Sequence, residues 1–157
     1  MNREATSAAL AQLPTGLCVV SSYYQHRAAA MTASWVYQVS FDPPLLAVAV
    51  HKDRTISSPL RLSGGFVVSV LKRGQEELAR HFSQHFDPHD DPFQGMETVE
   101  TTLGAPALKA ALCYLECHAR EEVETGDHCL FIGEVTDGQV LNEGEPAIEQ
   151  RRSGFDY

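Results

Sequence analysis

Residues 45–71 read LLAVAVHKDRTISSPLRLSGGFVVSVL. Leu45 to Val50 is an uninterrupted apolar run entered through Pro43-Pro44, the pattern of a strand buried on both faces. Thr55 to Leu62 predicts a short helix or turn, and Ser63-Gly64-Gly65 releases the chain into a second buried strand, Phe66 to Leu71. Upstream, Arg3 to Leu13 carries good helix formers and stops at Pro14-Thr15-Gly16. Leu17 to Tyr24 and Ala28 to Ser40 then predict two strands joined as a hairpin across Gln25-His26-Arg27. Downstream, Gln75 to Phe86 sets Leu78, His81, Phe82 and His85 at helical spacing, followed by the polar, proline-broken loop Asp87 to Gly95. Pro106 to Ala110 predicts about one turn of helix at most. Leu112 to Val123 and His128 to Leu141 are strands, with Gly126-Asp127 turning between them and Asp137-Gly138 a later turn or bulge. The order is mainly β with short helices inserted, not a regular βαβα alternation, which predicts a closed or partly closed β-barrel.

A chain of 157 residues fits one domain, spanning 1–157. Its longest apolar stretch, Pro43 to Val50, is far short of the ~20 residues of a membrane helix. The opening residues do not form a basic-then-apolar leader, and four cysteines without one suit a reducing compartment, so a cytoplasmic location is expected. The net charge of −9 argues against nucleic acid as a partner. That charge is uneven: residues 1–86 hold eight Lys+Arg against five Asp+Glu, and residues 87–157 hold four against sixteen. A small anion would therefore be met in the first half, near Lys52, Arg54 and Arg61, although the same cations also suit a solvated face.

Neither a G-x-G-x-x-G turn, a P-loop, a G-x-S-x-G elbow nor a standard zinc spacing occurs. Cys113 and Cys117 would lie roughly 13 Å apart along a strand, too far to share one metal, so the thiols are expected as small core fillers. His85, His89, Asp90 and Asp91 fall in one loop that could ligate a metal, cover a site or simply be polar. Met31 to Val36, flanked by Ala28, Ala29, Ala30, Ala33 and Ser34, could bring backbone close to a flat ligand or pack against a neighbouring strand. Lys52, Arg54 and Thr55, before a helix start, are a candidate phosphate site.

Several stretches in this order resemble the flavin reductase-like family: Leu13-Pro14-Thr15-Gly16, Met31-Thr32-Ala33-Ser34, Asp42-Pro43-Pro44-Leu45-Leu46, Phe66 to Leu71, Leu78 to Ser83 and Gly126 to Val135. The closing residues Arg151 to Tyr157 resemble the end of reductase modules fused to cyanobacterial flavodiiron proteins. The resemblance implies an FMN-binding split β-barrel, Greek-key-like and homodimeric, with hydride transfer from NADH or NADPH to FMN (or FAD). From there electrons would pass to an acceptor such as a partner oxygenase or flavodiiron protein. It further implies that Met31, Thr32, Ala33, Ser34 and Trp35 line the isoalloxazine and ribityl chain, that Lys52, Arg54 and Thr55 hold the phosphate, and that Ser69 and Leu71 approach the flavin. His128 would lie near the nicotinamide or the flavin edge as the catalytic residue, or merely close the turn after Asp127. The chain departs from the family pattern at Ala30, where glycine is usual, at Ser69, where asparagine is frequent, and in the His- and Asp-rich stretch Gln84 to Pro92. The rival expectation is an FMN-binding electron carrier reduced by a protein donor.

Overall fold

The computed structural model describes residues 1–156; Tyr157, the last residue of the tail resemblance, lies outside them. In chain order the elements are α1 (Arg3–Leu10), β1 (Thr15–Gly16), β2 (Cys18–Tyr24), β3 (Arg27–Ala33), β4 (Val36–Phe41), β5 (Pro44–His51), α2 (Ser57–Leu62) and β6 (Gly65–Val70). There follow α3 (Glu76–Ser83), β7 (Thr98–Val99), β8 (Ala107–Leu108), β9 (Cys113–Thr125), β10 (His128–Val140) and β11 (Ile148–Glu149). Seven strands make one sheet in the order β3-β2-β6-β9-β10-β5-β4, with every pairing antiparallel.

The predicted hairpins form where the turn chemistry allows them. Gln25 and His26 both take positive φ, 49° and 62°, as a two-residue turn between right-twisted strands requires. Gly126 and Asp127 close the β9–β10 hairpin, and the register shift between Val135 and Asp137 makes the anticipated irregularity a bulge.

Two expectations are corrected. Ala28 to Ser40 is not one strand: it breaks at Ser34-Trp35, so that β3 and β4 occupy opposite ends of the sheet. The apolar pattern runs on through the break although β3 packs into the core while β4 leaves Tyr37, Val39 and Phe41 exposed, and the crossing is held when Ala49 N donates to Trp35 O at 3.0 Å. Pro106 to Ala110 holds the short strand β8, paired with β7, where a helical turn was expected.

The sheet curls until both ends share one core. Met31 and Ala33 of β3 pack with Val20 of β2, Phe66 and Val68 of β6, Cys117 of β9, Phe131 of β10, and Leu46 and Val48 of β5, beneath Ile56 and Leu60. That enclosure makes the architecture a β-barrel with helices on its outside. Close packing fixes Gly133: a Cβ there would stand 2.8 Å from the Phe66 ring. A second core, under α3, gathers Leu17, Val19, Leu71, Phe82 and Phe93. A buried carboxylate, Glu116, pins the segment between β7 and β8 by accepting from Thr102 N at 2.9 Å and from the Thr102 hydroxyl.

All four cysteines are free thiols, three of them buried. Burial pushes the Cys18 and Cys117 thiols up to about 12, with Glu116 adding to the effect at Cys117. Both therefore stay protonated at neutral pH, and a native sample treated with iodoacetamide should show neither alkylated by peptide mass spectrometry, while unfolded protein takes up reagent at both. Because the folded thiols hold their protons more tightly than the unfolded chain, this contribution to stability is full below about pH 8.5 and is lost as pH rises toward 12. Cys117→Ala should flatten the decline of the thermal midpoint over that window.

Candidate functional site

Antiparallel pairing of β5 with β10 places His51 opposite His128, at the ends of the two strands. The His128 side chain is buried, and its Nδ1 lies 2.6 Å from Oδ1 of the exposed Asp127. Donation from Nδ1–H to that carboxylate fixes the ring orientation and leaves Nε2 as the acceptor nitrogen of the neutral imidazole. The same hydrogen bond holds the Asp127 carboxyl below its ordinary range, against a smaller desolvation effect. The Trp35 ring lies against His128, centroids 4.8 Å apart and tilted 37°, while the His51 ring meets it edge-on at 5.1 Å. His51 Nδ1 accepts from Asp53 N at 3.2 Å, which puts the proton of neutral His51 on Nε2.

These residues line a cleft of about 300 Å3 whose remaining wall is the segment 151–156. That segment is clasped to α1: Gly154 N donates to Ser7 Oγ at 3.0 Å, Ser7 and Ser153 hydroxyls are 3.1 Å apart, and Arg151 Nη2 donates to Leu10 O at 3.2 Å. No side chain fits at Gly154, whose Cβ would collide with Leu10. The Arg151 guanidinium stands over the Trp35 ring at 5.0 Å, and its Nε is a buried donor with no hydrogen-bond partner among the described residues.

His51 also borders a second cleft, of about 250 Å3, lined by Ala30, Met31, Arg54, Thr55 and His85 among others. Here the structure brings the small-residue strand and the basic loop together. Arg54 Nη1 donates to Ser83 O at 3.3 Å and has no carboxylate partner among the ion pairs of the described residues. A third cleft, of about 450 Å3, opens on the far side of Ala30 and Thr55, between the β2–β3 hairpin and the loop after α3. The His- and Asp-rich loop is pinned there: Arg27 Nη1 donates to Pro88 O at 2.5 Å, and His81 Nε2 lies 2.7 Å from Pro92 O.

The other expected site residues fall elsewhere. Lys52 is exposed and pairs with Glu124 at 3.5 Å, and Arg61 is forked onto Glu122 with Nε at 2.8 and 2.9 Å from its two oxygens. That contact draws the Glu122 carboxyl down. Thr32 donates its hydroxyl to Ala79 O at 2.5 Å and borders a different cleft, beside α3 and β11. Ala33 is buried in the barrel core, and Ser34 stands at the break before β4. Ser69 and Leu71 are fully buried, the Ser69 hydroxyl accepting from Leu108 N at 3.0 Å, and neither lines the three clefts. Sequence reasoning passed over His51, Asp127 and Arg151 as site residues. The strand register would have found His51, whereas nothing local marks Arg151.

Comparison with known proteins converges on one family. The model of the flavin reductase-like domain matches residues 10–155. Diflavin flavoprotein A 1 of Synechocystis sp. strain PCC 6803 is 38% identical over 151 residues, covering 95% of this chain and 26% of that protein. The chain likewise spans about a quarter of the length of the other curated relatives it matches first. Among solved structures, the NADH:FAD oxidoreductase SgcE6 of Streptomyces globisporus is 34% identical, with a TM-score of 0.86 over 98% of this chain and 90% of that one. The flavin reductase PheA2 is 28% identical, with a TM-score of 0.81 over 94% and 93%. From the end of α1 to the segment that walls the His128 cleft, sequence and barrel agree: the chain belongs to the flavin reductase-like family.

Proposed function

We propose that this domain is an NAD(P)H-dependent flavin reductase that takes FMN, and that it passes electrons to an acceptor such as an oxygenase or a flavodiiron partner. The observation that carries the reading is the pair of adjoining clefts sharing His51, one with the uncommitted Arg54 and Thr55, the other with Trp35 and the Asp127-fixed His128. The residues present fit a flavin. Arg54 and the Thr55 hydroxyl suit a phosphate, Ala30 and Met31 offer a floor narrow enough for a ribityl chain, and Arg151 holds an unsatisfied donor beside the indole face. The adjoining volumes are in the range of small-molecule sites, ~300–1,000 Å3.

Flavin and nicotinamide, when bound, supply the hydride chemistry themselves. The work left to this chain is binding, orientation and exclusion of water. Arg54 and Thr55 anchor the phosphate end. Trp35, walled by the segment 151–156, keeps the reacting end dry, and His128 presents a hydrogen-bonding nitrogen in an orientation set by Asp127. A positioning role for His128 needs no proton transfer.

The homodimer belongs to the same proposal. Strand β4 forms one end of the sheet, carries no charged residue, and exposes Tyr37, Val39 and Phe41, the last at 90%. An uncharged apolar edge is a surface that pairing with a second copy would cover.

Anaerobic titration of the FMN-loaded protein with NADH or NADPH should bleach the flavin's visible absorption with at least one of them; flavin that stays yellow would favour reduction by a protein donor. His128→Ala should slow bleaching about ten- to a hundred-fold with the fold intact by circular dichroism. Asp127 has a lowered carboxyl pKa, so its hold on His128 is complete above about pH 4 and is lost as pH falls through its folded value. Asp127→Asn should therefore remove an acid-side loss of stability while also slowing reduction at neutral pH. Light scattering after gel filtration should give twice the chain mass for the native protein, and Val39→Glu should shift it toward the single-chain mass.

A further inference from the structure

Among the described residues, a single buried side-chain nitrogen or oxygen lacks a hydrogen-bond partner: Nε of Arg151, a residue that lines the His128 cleft. We propose that this N–H is the recognition donor for the carbonyl oxygen of a planar amide ligand, and that the segment 151–156 is the strap that carries it over the cleft. Two ligands of the proposed reaction carry that group, the flavin in its pyrimidine ring and the nicotinamide in its carboxamide. The inference rests on the flavin reading and deepens it by giving Arg151 a partner.

Burial is the first argument. The great majority of buried donors are paired, so one left open on a residue at the wall of a cleft marks a place that a ligand completes. Geometry is the second. A guanidinium is planar and carries its N–H groups in a fixed fork. Here Nη2 is spent on Leu10 O at 3.2 Å and Cζ stands 5.0 Å from the centre of the Trp35 ring, so Nε is held in place with nothing to meet. Charge is the third. Asp127 and Asp156 border the same cleft, and carboxylates there repel a free anion. An amide carbonyl is a neutral acceptor and meets the donor without that repulsion. The attachment of the strap is the fourth. It is held to α1 by the Ser7 and Leu10 contacts and by Arg3, whose guanidinium lies 4.4 Å over the Phe155 ring. Helix α1 has no buried residue of its own, so these contacts give way without opening a core. The strap can lift to admit a ligand and close with Nε against it.

Arginine Nε–H groups give their own signals in nitrogen–proton correlation spectra, and the Arg151 signal is the one that Arg151→Lys removes. Adding FMN to the purified protein, or NAD+ to the FMN-loaded protein, should shift that signal with one of the two. Calorimetric titration should then show about a ten-fold loss of affinity for the same ligand in Arg151→Lys, which keeps the cation and lacks the planar fork. A loss that falls equally on FMN and on riboflavin, which has no phosphate, assigns the contact to the flavin ring. A loss on NAD+ that spares ADP-ribose, which has no nicotinamide, assigns it to the carboxamide. Ser7→Ala frees the strap and leaves Arg151 whole, so it covers the case in which Arg151→Lys disturbs folding; it should weaken the same ligand about three-fold. The proposal is overturned by an Arg151 signal that moves with neither ligand, or by affinities within about two-fold of native in both variants. It is equally overturned by a loss on FMN that spares riboflavin, or by one shared by NAD+ and ADP-ribose. In each of these cases the flavin reading stands wherever FMN binds. A native protein that binds no flavin overturns that reading instead, and NAD+ against ADP-ribose on the unloaded chain still decides the carbonyl contact.

Discussion

The register of one strand pair governs the site. β5 and β10 run antiparallel from His51↔His128 to Leu45↔Glu134 without a shift. Side chains alternate faces along a strand, so a slip of one residue would turn His128 away from His51 and put Phe131 outside the core that Val48 and Val50 enter. The apolar cost of that slip enforces the register, and the geometry of the His128 cleft follows from it. Burial of Phe131 and Cys129 thus fixes where His128 stands, and His128 in turn gives Trp35 a ring to pack against at the point where the chain crosses between the ends of the sheet.

Part of the charge imbalance along the sequence closes in space. Arg61 meets Glu122, Lys52 meets Glu124 and Arg73 meets Glu145, so acids from the second half cover cations from the first. Exposed pairs of this kind add little stability, on the order of 0–1 kcal/mol each. Their consequence is selective: they take Lys52 and Arg61 out of the anion site that sequence proximity suggested. Arg54, whose guanidinium meets a backbone carbonyl, keeps its charge available at the cleft.

This pairing shows why some of the molecule was legible and some was not. The hairpins at Gln25-His26 and Gly126-Asp127, the buried runs at Leu45–Val50 and Phe66–Val70, and the role of cysteines as core fillers all rest on local chemistry, and local chemistry is written in consecutive residues. The break at Ser34-Trp35 was hidden because the apolar pattern is continuous across it, although the two flanking strands lie at opposite ends of the sheet. The ion pairs of Lys52 and Arg61 were not legible because their partners lie 72 and 61 residues away. Arg151 was missed for the same reason: its place over Trp35 depends on α1, whose contribution is a loop of hydroxyl and carbonyl contacts with no motif of its own.

The geometry around His128 bears on the orienting role proposed for it. A general acid or base works best when its proton can exchange with solvent or a relay. His128 is instead buried, with one nitrogen committed to Asp127 and its ring faced by Trp35 and edged by His51. Losing the Asp127 contact would cost orientation, because the carboxylate is the group that fixes which nitrogen carries the proton. A hydride needs no proton delivered at the moment of transfer; it needs the donor carbon and the acceptor nitrogen held in line and kept dry. A ring held between an indole and a second imidazole, with Asp127 at the cleft wall setting its orientation, suits the orienting role proposed for it.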